Sequence, residues 1–403
     1  MAVAVGRRWE TLALGNLAEF RNGINYNKDN FGRGIKVINV KDFQDYSIAS
    51  FENLDQVNLS GVIKEKDLLK AGDIIFVRSN GNRELIGRSL FIKDIRESVT
   101  HSAFTIKLRF TSNQVIPRFY AYLFRSSLMR QTFSAQGNGT NISNLNQGIL
   151  SNLEVPLPPL PIQRKIAAIL SAYDDLIENN TRRIEILEEM ARSIYREWFL
   201  KFRFPGHEQV QMVDSELGPI PEGWEVKKLG EVIRFKNGKS LKVEEEGDYL
   251  VYGSNGIVGR TNEARYQNAI IIGRVGAYCG SLIYSKSAFN ASDNTIIAES
   301  ASEKFSIELA FYVLEQMNLR HYAGGAAQPL LTQTVIKEIP AIVPDIKTNK
   351  SFQIIIANII NFKSNLTNKI ENLRKTRDLL LPRLISGEID VENLDINTGP
   401  IAA

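Results

Sequence analysis

Apolar positions between Pro161 and Pro205 recur in alternating steps of four and three. Tyr173, Ile177, Asn180, Ile184, Leu187, Ala191, Ile194 and Trp198 mark the seam, and no proline or glycine interrupts it. That spacing keeps one stripe of a helix against a neighbouring helix along its whole length. About 40 residues of helix would measure roughly 60 Å, so the pattern predicts a long mid-chain helix that separates an N-terminal portion of the chain from a C-terminal one. A second seam, Ile359, Leu366, Ile370, Leu373, Leu380 and Leu384, predicts another long helix from Asn349 to Ser386. Pro382 is expected to kink or fray its last turn.

Elsewhere the apolar runs are short, β-branched and aromatic. IKVINV (35–40), DIIFVR (73–78), SLFIK (89–93) and AFTIKLRF (103–110) read as strands. So do YLVYG (249–253), AIIIGR (269–274), SLIYS (281–285) and NTIIAE (294–299). Gly, Asn and Ser clusters separate them. One helical segment follows each set, Pro117 to Phe133 and Ser306 to Arg320. The expected class is α+β. The proline-bearing stretches VPLPPLP (155–161) and IVPDIK (342–347) read as domain boundaries.

The chain repeats itself. WETLALGNLAEFRNG (9–23) and WEVKKLGEVIRFKNG (224–238) share Trp, Glu, Leu, Gly, Phe, Asn and Gly. GDIIFVR (72–78) corresponds to NAIIIGR (268–274), and LNQGILSNLEVPLP (145–158) to LTQTVIKEIPAIVP (331–344). The last match continues without a gap into the two seams. The expected plan is a tandem duplication, globular unit then long helix, twice over.

Composition narrows the chemistry. The 403 residues are enough for two or three domains, and the net charge of +4 permits nucleic-acid binding without arguing for it. Lys and Arg outnumber Asp and Glu 18 to 14 over residues 9–155, giving +4, and match them 13 to 13 over 224–343, giving zero. A single cysteine, Cys279, excludes a disulfide framework and favours a reducing, cytoplasmic setting. The first residues do not read as a secretory signal, and no run is long enough to span a membrane. No GxxxxGK[ST] loop is present; His101, His207 and His321 lack metal-ligand spacing; Pro344–Asp345 has no Glu-x-Lys partner. No catalytic residue, metal site or cofactor site emerges.

Polar loops on strand scaffolds remain. In the first half they offer Arg78, Ser79, Asn80, Asn82 and Arg83, with Asn138, Thr140 and Asn141. In the second they offer Lys239, Ser254, Asn255, Arg260, Arg274 and Gln328. Arg pairs bidentately with guanine, and Asn or Gln with adenine; Gly–Asn loops also serve simply as turns. Two loop sets on two domains suit two half-sites on one duplex. Tyr195, Trp198, Phe199 and Phe202 exceed what one seam uses. They either cap the junction with a domain, contact a partner subunit, or are buried within this chain.

The motif W-x(5)-G-x(4)-F-x-N-G, present twice, INVKDF (38–43), the run GNGTNISNLNQGILSNLEVPLPPLPIQRKIAAIL (137–170) and the helix end YREWFLKFRFPG (195–206) carry a family pattern. The chain resembles the DNA specificity subunit of type I restriction-modification systems. The resemblance implies two tandem target-recognition domains separated by two long antiparallel coiled-coil helices. The boundaries would be a first recognition domain at 1–155, a central helix at 156–205, a second recognition domain at 206–345, a C-terminal helix at 346–390 and a disordered tail at 391–403. It implies a non-catalytic reader of bipartite double-stranded DNA. Two methyltransferase subunits and motor–nuclease restriction subunits would be its partners, and S-adenosylmethionine, ATP and Mg would be bound by them. The second half departs in its proline-poor IVPDIK and in LLPRLISGEID (380–390), which replaces the aromatic-rich helix end. The alternatives are a two-domain protein-binding scaffold and a self-sufficient DNA-processing enzyme with an unrecognised site.

Overall fold

The computed structural model describes residues 9–43, 47–59, 63–80, 82, 85–126, 129, 132–133, 144–325 and 328–399. The chain forms two compact units, the first from residues 1–180 and 369–403, the second from 181–368.

The first unit contains β1 (Thr11–Ala13), β2 (Ala18–Asn22), β3 (Phe31–Ile38), β4 (Asp55–Val57), β5 (Ile74–Val77), β6 (Ser89–Phe91), β7 (Val99–His101) and β8 (Thr105–Phe110). After these come α1 (Pro117–Arg125), α2 (Gln147–Ser151), β9 (Glu154–Pro156) and the beginning of α3 (Leu160–Tyr195). Strands β2, β8, β5 and β6 form one sheet in that order, β4, β3 and β7 a second, and β1 pairs with β9. β3 and β7 run parallel, Lys36 opposite Val99. β5 is apolar throughout because all four of its residues are buried.

The second unit repeats this plan after a small hairpin, β10 (Met212–Val213) with β11 (Ile220–Pro221). Its elements are β12 (Glu225–Lys228), α4 (Leu229–Val232), β13 (Ile233–Asn237), β14 (Tyr249–Gly253), β15 (Gly256–Thr261), β16 (Ala269–Gly273), β17 (Leu282–Ser285), β18 (Phe289–Ala291) and β19 (Thr295–Ser300). α5 (Ile307–Gln316), α6 (Gln333–Lys337), β20 (Pro340–Val343) and α7 (Ile346–Ile385) complete the unit. The sheets are β13-β19-β16-β17 and β15-β14-β18, with β12 against β20. β14 and β18 again run parallel. The duplication read in the sequence is thus a duplication of topology. Neither helix that comes after the strands is continuous over the predicted span, although Met129, Thr132 and Phe133 beyond α1 are again helical. α1 ends where Ser126 turns extended, and α5 gives way to left-handed Asn318 and a 3-10 turn at Leu319–Tyr322.

Each unit buries one stripe of each long helix. Ile166, Leu170, Leu384 and Ile385 join the first core beside Ile74, Leu108 and Phe119. Phe352 and Ile356 join the second beside Ile270, Ile296 and Leu309. The helices run antiparallel within each unit. In the first, Lys165 Nζ donates to the Glu392 carbonyl at 2.7 Å and Arg377 pairs with Asp174 at 2.6 Å. In the second, Lys363 pairs with Glu188 at 2.5 Å, and Trp198 lies 6.0 Å from Phe352, ring to ring. The seam positions Ile177, Asn180, Ala191, Trp198, Leu366, Ile370 and Leu384 are all buried. Pro382 does not end α7, which runs on to Ile385; Gly387, at φ 75°, turns the chain. The segment expected to be disordered from residue 391 begins with a packed residue, because Val391 is buried in the first core.

The glycines of the repeated motif have a common cause. A Cβ on Gly23 would overlap the carbonyls of His101 and Ser102, and one on Gly238 the carbonyls of Ala291 and Ser292. At the ends of α2 and α6 the neighbours are side chains: a Cβ on Gly15 would overlap the Ser151 hydroxyl, and one on Gly230 would meet the Lys337 Cβ at 2.9 Å. Backbone cannot retreat as a flexible side chain can, so Gly238→Ala is expected to destabilise the protein by about 1–3 kcal/mol. Gly324→Ala, with open space around that position, is the control. Thermal unfolding compares them, and equal midpoints would count against the close-approach argument.

Candidate nucleic-acid interface

One end of the four-stranded sheet in each unit is tied together by the same backbone bonds. In the first unit Gly23 N donates to Thr105 O (3.2 Å), Ile24 N to His101 O (2.8 Å), Ser102 N to Ile38 O (3.0 Å), Arg78 N to Phe104 O (2.8 Å) and Leu145 N to Arg78 O (2.9 Å). In the second, Gly238 N donates to Thr295 O (3.0 Å), Lys239 N to Ala291 O (3.1 Å), Ser292 N to Tyr252 O (2.9 Å), Arg274 N to Asn294 O (2.9 Å) and Leu331 N to Arg274 O (2.9 Å). Thr105 Oγ1 donates to Ser102 O and Thr295 Oγ1 to Ser292 O, both at 2.7 Å. The result is a cradle of turns built twice.

The side chains on the two cradles differ. In the first unit Ser79 and Asn80 line an open groove of about 470 Å³ with Tyr26, Phe31, Asn39, Lys41 and Phe104. Asn80 Oδ1 accepts from Asn82 N at 2.8 Å, which holds this turn. Phe104 is 61% exposed and Phe31 50%, and because both line the same groove they make an apolar patch rather than isolated surface residues. Sequence reasoning missed them because Phe104 opens a strand-like run and reads as core. Arg83, Asn138, Thr140 and Asn141 lie outside the described residues.

In the second unit Lys239, Ser254, Asn255 and Arg274 come together. Ser254 Oγ donates to Asn294 O at 2.5 Å, the same carbonyl that holds Arg274 N, and Asn255 is the next residue of that turn. The loop of Gln328 is tied to them by Gly276 N donating to Pro329 O at 3.0 Å. Exposed Tyr278 lies in the intervening turn. Arg260 does not join this group. It lies along β15, opposite Leu250, and its guanidinium donates to Gly247 O at 2.8 Å.

The four aromatics considered as partner contacts are taken up inside the second unit. Tyr195, Trp198 and Phe199 are buried, and Phe202 is partly buried. Phe199, Phe202 and Phe204 surround Trp224, the first residue of the second repeated motif. They cap the junction between helix and strands, and burial withdraws Tyr195, Trp198 and Phe199 from a docking surface.

Behind the first cradle lies a buried histidine. Thr105 Oγ1 spends its hydrogen on Ser102 O, so His101 Nδ1 donates to Thr105 Oγ1, 2.9 Å away. Nε2 is then a bare acceptor, buried without a partner among the described residues. Burial, reinforced by the Lys107 ammonium, pushes His101 down to about 3. Burial, reinforced by Arg109, pushes Lys107 down to about 8, and its Nζ donates to the carbonyls of Lys66 and Leu68.

Among the described residues no cluster of three or more His, Cys, Asp or Glu is placed to hold a metal ion, and no helix is long and apolar enough to cross a membrane. The family described as "Type I restriction modification DNA specificity domain" matches residues 6–189 and 221–375, both repeats. The chain belongs to this family. It is similar to the type I restriction enzyme MjaIX specificity subunit of Methanocaldococcus jannaschii, 26% identical with 70% of this chain and 71% of that one covered. It is similar to the type I restriction enzyme HindI specificity subunit of Haemophilus influenzae, 24% identical over 94% of this chain and 99% of that one. The crystal structure of a type I restriction-modification S subunit from M. genitalium shares the fold, with a TM-score of 0.59, 18% identity and coverage of 94% and 96%.

In this specificity-family chain His101 gives the first cradle an acid sensitivity that the second, with Ala291 at the corresponding bond, lacks. The folded protein keeps His101 neutral while the unfolded chain protonates near 6.5. Stability is therefore present above 6.5 and falls as pH drops from there toward about 3. One such group contributes at most about 1.4 kcal/mol per pH unit. His101→Ala should flatten that slope in urea unfolding measured across this range; an unchanged slope would assign the acid sensitivity elsewhere.

Proposed function

We propose that this chain is the non-catalytic DNA sequence-specificity subunit of a type I restriction-modification complex, reading a bipartite target with one unit per half-site. The observation that carries this reading is the cradle built twice on the same backbone bonds, in a chain of the specificity family, with different side chains on each copy. Tyr26, Phe31, Asn39, Asn80 and Phe104 surround one; Lys239, Ser254, Asn255, Asn294 and Tyr278 surround the other. A common frame with different surfaces suits two different base sequences on one duplex.

Catalysis belongs to the partners in this reading. Two methyltransferase subunits and the motor–nuclease subunits bring S-adenosylmethionine, ATP and Mg, in the cytoplasm. The near-neutral charge of the second repeat supports a division of labour in which partners supply much of the phosphate contact. Exposed apolar side chains on the long helices, Leu176 and Leu379 in the first unit and Ile186, Met190 and Ile354 in the second, are available to them.

Binding-site selection with the assembled complex is expected to return two short motifs with a fixed gap. A single contiguous motif would sink the proposal. Asn80→Ala and Phe104→Ala should relax one half of the motif only, by about 1–3 kcal/mol at the affected base pair. The gap should track helix length. Because Glu188 faces Lys363, removing Ile184–Met190 together with Asn361–Thr367 should shorten it by about 10 Å, about three base pairs. An unchanged gap would refute that link.

A further inference from the structure

Arg78 and Arg274 occupy the same place in the two units. Each directly succeeds the buried central strand, β5 or β16. Each has its backbone fixed on both sides, N–H by the turn before the last sheet strand and carbonyl by the segment leading into α2 or α6. In each, the guanidinium Nε is buried and has no hydrogen-bond partner among the described residues. A buried donor without an acceptor is costly, and finding the same one twice marks two guanidiniums whose charge is not used up within the protein; both arginines are half-buried, so the outer part of each fork is what an anionic ligand can reach. Glycine, serine, threonine and leucine positions of the frame also recur, but these two are the charged residues that keep both identity and backbone frame: Phe104 stands where the second unit has Asn294, and Ile24 where it has Lys239.

We infer that Arg78 and Arg274 are matched DNA phosphate anchors, one per half-site, that position the duplex without reading its sequence. The inference rests on the cradles being DNA readers and adds a division of roles within each. A residue held identically by two readers of different sequences meets what the sequences have in common, which is the backbone. Phosphate oxygens only accept, and the planar guanidinium fork matches them. The rigid backbone on either side of each arginine fixes where that contact falls. The unlike neighbours are left to choose bases.

The test uses the assembled complex with the full chain and two duplexes, one carrying the selected target and one scrambled. Arg78→Ala and Arg274→Ala, separately, should weaken both duplexes by the same factor, about tenfold, and lower the salt dependence of log K by about one. The selected motif should not change. Arg→Lys should recover part of the affinity, since a point charge still meets phosphate. If an alanine chain fails to assemble, Arg78→Gln and Arg274→Gln carry the same comparison. A changed preference at one base pair would make the arginine a base reader and overturn the inference, as would unaltered affinity and salt slope. Failure of the unsubstituted complex to prefer any bipartite duplex would instead remove the functional reading beneath it.

Discussion

The candidate interface depends on a backbone approach too close for any side chain. At Gly23 and Gly238 the chain leaves the first sheet strand pressed against the carbonyls of the turn that feeds the last one. The hydrogen bonds at these points hold that turn, and through it the arginine at the end of the central strand and the segment leading into the short helix. Apart from the threonine hydroxyls that brace the turn, the frame commits backbone, so the outward side chains are free to vary. Phe104 in one copy and Asn294 in the other point to a frame under tight steric control that carries a surface under almost none.

The long helices answer to a different constraint, and the two units meet it differently. Tyr122 on α1 and Tyr312 on α5 stand at corresponding places, six residues into equivalent helical segments. In the first unit the Tyr122 hydroxyl donates to Asp174 at 2.7 Å, and Asp174 pairs with Arg377. In the second, Tyr312 lies 5.8 Å from Tyr195 and 6.1 Å from Phe352. Buried ion pairs often add little net stability over apolar packing of the same shape, but they penalise misalignment heavily. The first unit thus has an arrangement suited to orientation, and the second one suited to area.

How much of this was legible depended on the length scale of the signal. The helical seams were legible because a 3.5-residue period sustained over many turns has no competing explanation. The repeated Trp-Gly-Phe-Asn-Gly motif was legible because its glycines answer to steric demands that few other contexts impose. The second, three-stranded sheet of each unit was not, because its parallel pairs join short segments far apart in sequence, such as Lys36 with Val99. Nor could composition assign Tyr195, Trp198 and Phe199, since the residue types of a docking surface and of a core are the same. The loop residues divided for a similar reason: Arg274 and Ser254 fell together, while Arg260 was claimed by a nearby carbonyl.

The first unit draws on both ends of the chain, whereas the second is one continuous stretch. During synthesis, Asp174 must wait for Arg377, a partner 203 residues away, which at ordinary rates is about 10–40 s of translation. The later-numbered unit can therefore complete itself while the earlier one is still missing a wall. For the first unit, the emergence of the second half of α7 is a structural event, and a nascent chain that has exposed residues only as far as 368 would present one finished reader and one open core.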